Sequence, residues 1–119
     1  MKTIYPVKQR VSVWVGNFPT EDEFDNSIDV EVTPRLAVPT HIESICEIGF
    51  EPKPVPIRQL IAGFSGGEIF ADRVSATAVS RGISSANAAL VVYYVQCEDA
   101  PERWGPLDFL GSFVGWAGK

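Results

Sequence analysis

His41, Cys46 and Cys97 are the only imidazole and thiols in the chain. A nucleophile–base pair would have to join Cys46 to His41, five positions apart, whereas neighbours on a helix lie three or four apart. The spacing instead predicts a surface histidine and a core cysteine. Metal binding needs clustered donors, and one histidine with two cysteines 51 positions apart gives no ligand spacing. The carboxylates follow no calcium-loop pattern either, so neither a metal nor a cofactor is expected. The run Gly63-Phe64-Ser65-Gly66-Gly67 has the look of a phosphate loop but lacks the following lysine. It reads better as Gly63 stopping one helix and Ser65 capping the next. Paired carboxylates are plentiful, but no local environment marks one as acid and another as base. An enzyme is therefore the least supported class.

The distinctive chemistry is a run of acids. Glu21, Asp22, Glu23, Asp25, Asp29 and Glu31 place six of the fifteen carboxylates in eleven residues, and no Lys or Arg falls between Arg10 and Arg35. Acids in a first helical turn are favoured by the helix dipole, which accounts for Glu21, Asp22 and Glu23. Asp29 falls near the C-terminal end of the predicted helix, where a carboxylate is mildly unfavourable. A charge kept there points to a binding face for a basic protein, with Glu21, Asp22, Asp25, Asp29, Glu31, Glu43 and Glu47 as its candidate residues.

The elements that must carry these residues are marked by S/T-x-x-E capping boxes at Thr20–Glu23, Thr40–Glu43 and Ser65–Glu68. The first predicts a helix from Glu21 to Asp29, with Phe24 and Ile28 on its inner face. The second predicts a helix over His41 to Ile48 stopped by Gly49, although Ile42, Ser44, Cys46, Ile48 and Phe50 also fit an alternating strand. Pro52, Pro54 and Pro56 make an extended linker, with Pro56 opening a short helix through Ile61. The third box opens the longest helix, Gly66 to Arg81, with a Phe70, Val74, Ala78 stripe and Gly82 as its stop.

Val11, Val13 and Val15 alternate along a strand that turns Trp14 to the opposite face, where a helix or second layer must cover it. Ala88 to Val95 reads as a central strand buried on both faces. Leu107 to Val114 follows as a final strand and candidate hairpin partner. The order predicts one α+β domain over residues 1–119: a small, mainly antiparallel sheet with helices packed on one face.

Composition narrows the function. Ten Lys and Arg against fifteen Asp and Glu give a net charge of −5 and a pI near 4.8. Such a chain is a poor ligand for nucleic acid or an anionic membrane, and a fair one for a basic protein. Its longest apolar stretch, Ala88 to Val95, falls well short of the ~20 residues a membrane span requires. No apolar segment of signal-peptide type follows Met1, so a cytoplasmic chain with unreactive, unbridged thiols is expected.

Three stretches carry a resemblance. Val11-Ser12-Val13-Trp14-Val15-Gly16-Asn17-Phe18, followed by Glu21, Glu23 and Phe24, resembles the opening of the immunity protein 22 family. Leu60 to Ser65 leading into Phe70, then Gly82-Ile83, Ala86-Asn87-Ala88 and Leu90 to Tyr93, is similar to its later part. Leu107 to Phe113 is similar to its closing strand. The middle, Ile28 to Pro56, departs from the family: Glu43, Glu47 and Glu51 among prolines replace an aspartate-rich segment. The resemblance implies a small cytoplasmic inhibitor of a cognate toxin domain, commonly a nuclease with a basic active site, whose phosphate positions the carboxylates would occupy. The aromatic and glycine motifs themselves read as packing and turn positions. A structural or adaptor domain with an ordinary acidic surface is the alternative.

Overall fold

The structure, a computed structural model, describes residues 4–35, 46–97 and 100–114, with side chains described from residue 10 onward. Five strands form one antiparallel sheet: β1 (Ile4–Gly16), β2 (Cys46–Pro56), β3 (Ser85–Cys97), β4 (Arg103–Trp104) and β5 (Leu107–Val114), in the order β2-β3-β1-β5-β4. The helices are α1 (Glu21–Ser27), α2 (Ile57–Ala62) and α3 (Gly67–Ser80). The α+β class and the antiparallel sheet are as the sequence implies.

The period-2 pattern of β1 builds two cores at once. Val11, Val13 and Val15 face α2 and α3, joining Ile57, Ile61, Phe70, Val74, Ala78 and Val91 in one cluster. Trp14 faces the other way, against Phe18, Phe24, Ile28, Val32, Leu90, Val92 and Trp104. The cover that Trp14 needs is α1, so helical layers lie on both sides of the sheet and the single pair of layers becomes three.

β3 is central and buried as expected, but β5 is not its hairpin partner. Both edges of β3 are taken, by β2 (Ile48 opposite Leu90) and by β1 (Val13 opposite Val91), so β5 pairs with the far edge of β1. Phe109 lies on the aromatic face, and a register shift between Val13 and Trp14, with Gly111 at φ 129, lets Leu110 and Phe113, three residues apart, share the aliphatic one. Only glycine adopts that φ without strain.

Other boundaries move for local reasons. Thr20 caps α1 as predicted, its Oγ1 accepting from Glu23 N at 3.2 Å. The helix does not end near Asp29: a π-helical turn (Ile28–Val32) and a 3₁₀ turn (Thr33–Arg35) continue it and keep Phe24, Ile28 and Val32 buried. The expected helix over His41 to Ile48 is replaced from Cys46 onward by β2; residues 41–45 lie outside the described residues. Gly49 is no helix stop. It lies under the Phe64 ring, whose Cζ would sit 3.1 Å from a Cβ there. The proline stretch is extended but is part of β2 and not a linker, resuming its ladder with β3 at Val55 after an irregularity. Pro56 caps α2 instead of opening it. Ser65 does not cap α3 either; Gly66 does, at φ 68, and a Cβ on Gly67 would run into the Ile61 carbonyl.

Candidate functional site

α1 positions the acidic run by burying Phe24, Ser27 and Ile28 against the sheet. Glu21, Asp22, Glu23, Asp25, Asn26 and Asp29 are thereby exposed. The sheet, the Thr20 cap and the aromatic floor hold this short element: the Phe18 and Phe24 rings lie 5.3 Å apart, and Trp14 meets Trp104 edge-on at 5.2 Å. Trp14 Nε1 is the one buried side-chain nitrogen or oxygen without a hydrogen-bond partner among the described residues.

The approach to α1 is locked by two motifs that lie far apart in sequence. Asn87 accepts from Phe18 N at 2.9 Å, donates through Nδ2 to Phe18 O at 2.7 Å, and its own N–H reaches Asn17 Oδ1 at 3.2 Å. Gly16 makes room for the Phe18 ring. The Trp14-to-Phe18 and Ala86-to-Ala88 motifs are thus packing and turn positions.

Four of the exposed acids divide between two clefts flanking α1, and Glu21 lines neither. One, of about 490 Å³, is lined by Asn17, Phe18, Pro19, Asp22, Glu23, Asn26, Ser27 and Pro106. The other, of about 340 Å³, is lined by Asp25, Ile28, Asp29, Thr33, Cys46, Ile48 and Leu90. Among the described residues no ion pair involves Glu21, Asp22, Glu23, Asp25 or Asp29. Asp29 does not oppose a helix terminus, because the helical path runs on to Arg35. The mildly unfavourable placement argued for it from sequence falls away, and its exposure beside a cleft remains.

The other candidate residues part from this surface. Glu31 is folded back: its carboxylate lies against Gly105 and 3.7 Å from Arg35, whose guanidinium stacks on Trp104 at 4.7 Å. Glu47 belongs to the opposite face. It accepts from Ser65 N at 2.9 Å, Ser65 Oγ at 2.5 Å and Tyr93 Oη at 3.1 Å. Burial pushes its carboxyl up, but the bonds from Ser65 and Tyr93 outweigh that and hold it below the usual range. Tyr93 is raised by its own burial and then by the Glu47 charge. Glu43 and His41 lie outside the described residues.

The glycine-rich loop does not suit a phosphate. Ser65 N is bonded to Glu47, and Gly67 N and Ile69 N donate to the Phe64 and Gly66 carbonyls at 2.7 and 2.9 Å. Its donors are in use and a carboxylate sits among them. Cys97 is buried, 3.6 Å from Ser12 Oγ, and burial pushes its thiol up to about 11, away from reactivity. Among the described residues no group of three or more His, Cys, Asp or Glu could hold a metal, and no helix is long and apolar enough to cross a membrane.

Two cleft residues escaped the reading of the sequence. Asn26 stands one turn from Asp22, a neighbour any helical wheel supplies. Ile48 was assigned to a helix, and only its alternation with Cys46 and Phe50 signalled a strand bordering the second cleft. No family model matches the chain, and comparison with curated proteins and with solved structures finds no match, so its resemblance to the immunity protein 22 family rests on the quoted residues alone.

Proposed function

We propose that this chain is a non-catalytic immunity protein that binds and neutralises a basic, nuclease-type toxin domain through the α1 surface. The observation that carries this reading is the exposure of Glu21, Asp22, Glu23, Asp25 and Asp29, the last four beside two clefts, without a paired cation among the described residues. Carboxylates spaced along one ridge can stand where a nuclease holds substrate phosphates, and opposite charge raises the encounter rate before contact. Glu31 and Glu47 are engaged within the chain and have positioning roles; within the described residues the binding set is Glu21, Asp22, Asp25 and Asp29, with Glu23 beside them. The proposed setting is the cytoplasm of the toxin-producing cell.

Co-expression with a toxin domain encoded in the adjacent reading frame tests the reading. Rescue of growth together with co-purification supports it. Failure of both favours an adaptor domain whose acidic helix is only a solvated face.

A further inference from the structure

The larger cleft beside α1 holds two polar groups that the fold leaves unused. Ser27 is only 9% exposed, lines the cleft, and makes no side-chain hydrogen bond among the described residues. A helical serine can return its hydroxyl to the preceding turn, as Ser80 does to Thr77 O at 2.7 Å. Ser27 does not. Nor is its hydroxyl sealed in, since Trp14 Nε1 alone among the described residues is both enclosed and unpartnered. What remains open of Ser27 therefore faces the cleft. Glu23 is the second group. A complete capping box would send its carboxylate back to the Thr20 N–H. Among the described residues only the forward half is made, Thr20 Oγ1 accepting from Glu23 N, and the carboxylate lines the cleft.

The helix sets the spacing of these groups. Glu23 and Ser27 are four residues apart, as are Asp22 and Asn26, so one wall carries two acceptor pairs whose members stand about 5–6 Å apart. No Lys or Arg lines the cleft. Phe18, Pro19 and Pro106 supply apolar surface around these acceptors. That surface is held before any partner arrives, because Asn87 engages both the N–H and the C=O of Phe18, at 2.9 and 2.7 Å.

Two carboxylates, an amide and an unused hydroxyl beside apolar surface select one kind of ligand. An ammonium is a compact point charge and meets few of these acceptors at once. A guanidinium spreads five N–H donors over a rigid plane and can span acceptors on adjacent turns, while its stem lies along Phe18 and the prolines. We propose that this cleft seats an arginine side chain of the protein partner, its guanidinium donating to Asp22, Glu23 and Ser27. The proposal rests on the acidic-surface reading and deepens it. Asp25 and Asp29, on the other flank of α1, attract at long range; Glu23 and Ser27 hold one partner side chain in place.

The probe is a blocked Gly-Arg-Gly peptide, compared with the same peptide carrying Lys or the uncharged arginine isostere citrulline. Binding is read from amide chemical shifts of the full chain. The arginine peptide should shift residues 17–18 and 22–27 and bind about tenfold more tightly than the lysine peptide, and the citrulline peptide should not bind. Ser27→Ala keeps every charge and should weaken the arginine peptide about tenfold, the worth of one hydrogen bond to a charged group, with an unchanged urea midpoint. Should that midpoint fall, Glu23→Gln at the exposed rim is the second variant, and it should also cost about tenfold. Equal affinity for the arginine and lysine peptides, or no loss in these variants, overturns the arginine seat and leaves the acidic-surface reading standing. Free arginine binding more tightly than the blocked peptide would make the ligand a small molecule and overturn its assignment to a protein partner. Binding of no peptide also overturns the seat, and toxin co-expression judges the acidic surface separately.

Discussion

Phe70 and Phe24 are both fully buried, one under each helical layer, yet the layers they anchor differ in kind. Under Phe70 lies an aliphatic core closed by α2 and by the fourteen residues of α3. The carboxylates outside it are matched: Arg58 reaches Asp72 at 2.7 Å and Glu68 at 3.0 Å. Under Phe24 lies an aromatic core covered by a seven-residue helix and two irregular turns. Among the described residues its one ion pair joins Glu31 to Arg35. The first layer behaves as scaffold, its charges balanced at home. In the second, a short element with few anchors holds like charges together against their mutual repulsion, the arrangement from which the proposed binding surface is argued.

The strongest test of this contrast truncates each anchor. Phe70→Ala and Phe24→Ala should each destabilise by about 3–5 kcal/mol, the usual range for a buried phenylalanine. The distribution should differ. Amide exchange in Phe24→Ala should rise first in residues 21–32 while β1 and β3 stay protected, whereas Phe70→Ala should weaken the sheet as a whole. Uniform loss in both variants would show that the two layers are one cooperative unit. Val92→Ala, on the aromatic face, should give about 1–3 kcal/mol, read as a lowered urea midpoint.

A smaller free-energy effect, but a sharper one for function, comes from charge. Replacing Asp22, Asp25 and Asp29 by Asn keeps their size. Association with the proposed toxin partner should slow tenfold or more at low salt, roughly the scale of lost electrostatic steering. The variant's salt dependence should flatten. Stability should change by about 0.5 kcal/mol or less, since these side chains are exposed. Removing the matched charges of α3, Glu68 and Asp72, should leave the association rate unchanged. Equal slowing by both sets would make net charge, not the α1 ridge, the cause.

How far the sequence foretold this arrangement depended on whether a signal was local. Val11, Val13 and Val15 against Trp14 announced two buried faces through strand alternation, and the Thr20 cap and the Phe24–Ile28 spacing announced α1. The Phe70, Val74, Ala78 stripe did the same for α3. What failed was decided at long range. Ser65 matched a capping box, but Glu47, eighteen residues earlier, takes its hydroxyl and N–H, and Gly66 caps in its place. Cys46 to Ile48 fitted helix and strand alike until the free edge of β3 settled the matter. β5 lay next to β3 in sequence, but β1 had already claimed that edge. The site followed the same rule. The exposure of Asp22, Asp25 and Asp29 follows from one helix, whereas the diversion of Glu31 to Arg35 and Gly105, and of Glu47 to Ser65 and Tyr93, required the tertiary fold.

Glu47 supplies the finest test of the contrast, because it is a carboxylate of the scaffold face with its bonds satisfied at home. Its carboxyl sits below the usual range in the folded chain. A lowered folded value means that its stabilisation is complete above the unfolded value and is lost as pH falls through the folded one. Urea midpoints of the wild type should therefore decline on acidification below about pH 4, the ordinary carboxylate region, with part of that decline due to Glu47. Glu47→Gln keeps one acceptor for Ser65 and Tyr93 but no charge, and should lower stability at neutral pH by about 1 kcal/mol or less. Its acid decline should be shallower than that of the wild type, while toxin association stays at the wild-type rate. A variant that instead slows association as the Asp22, Asp25, Asp29 set does would place Glu47 at the interface, and the division of labour between the two faces would fall.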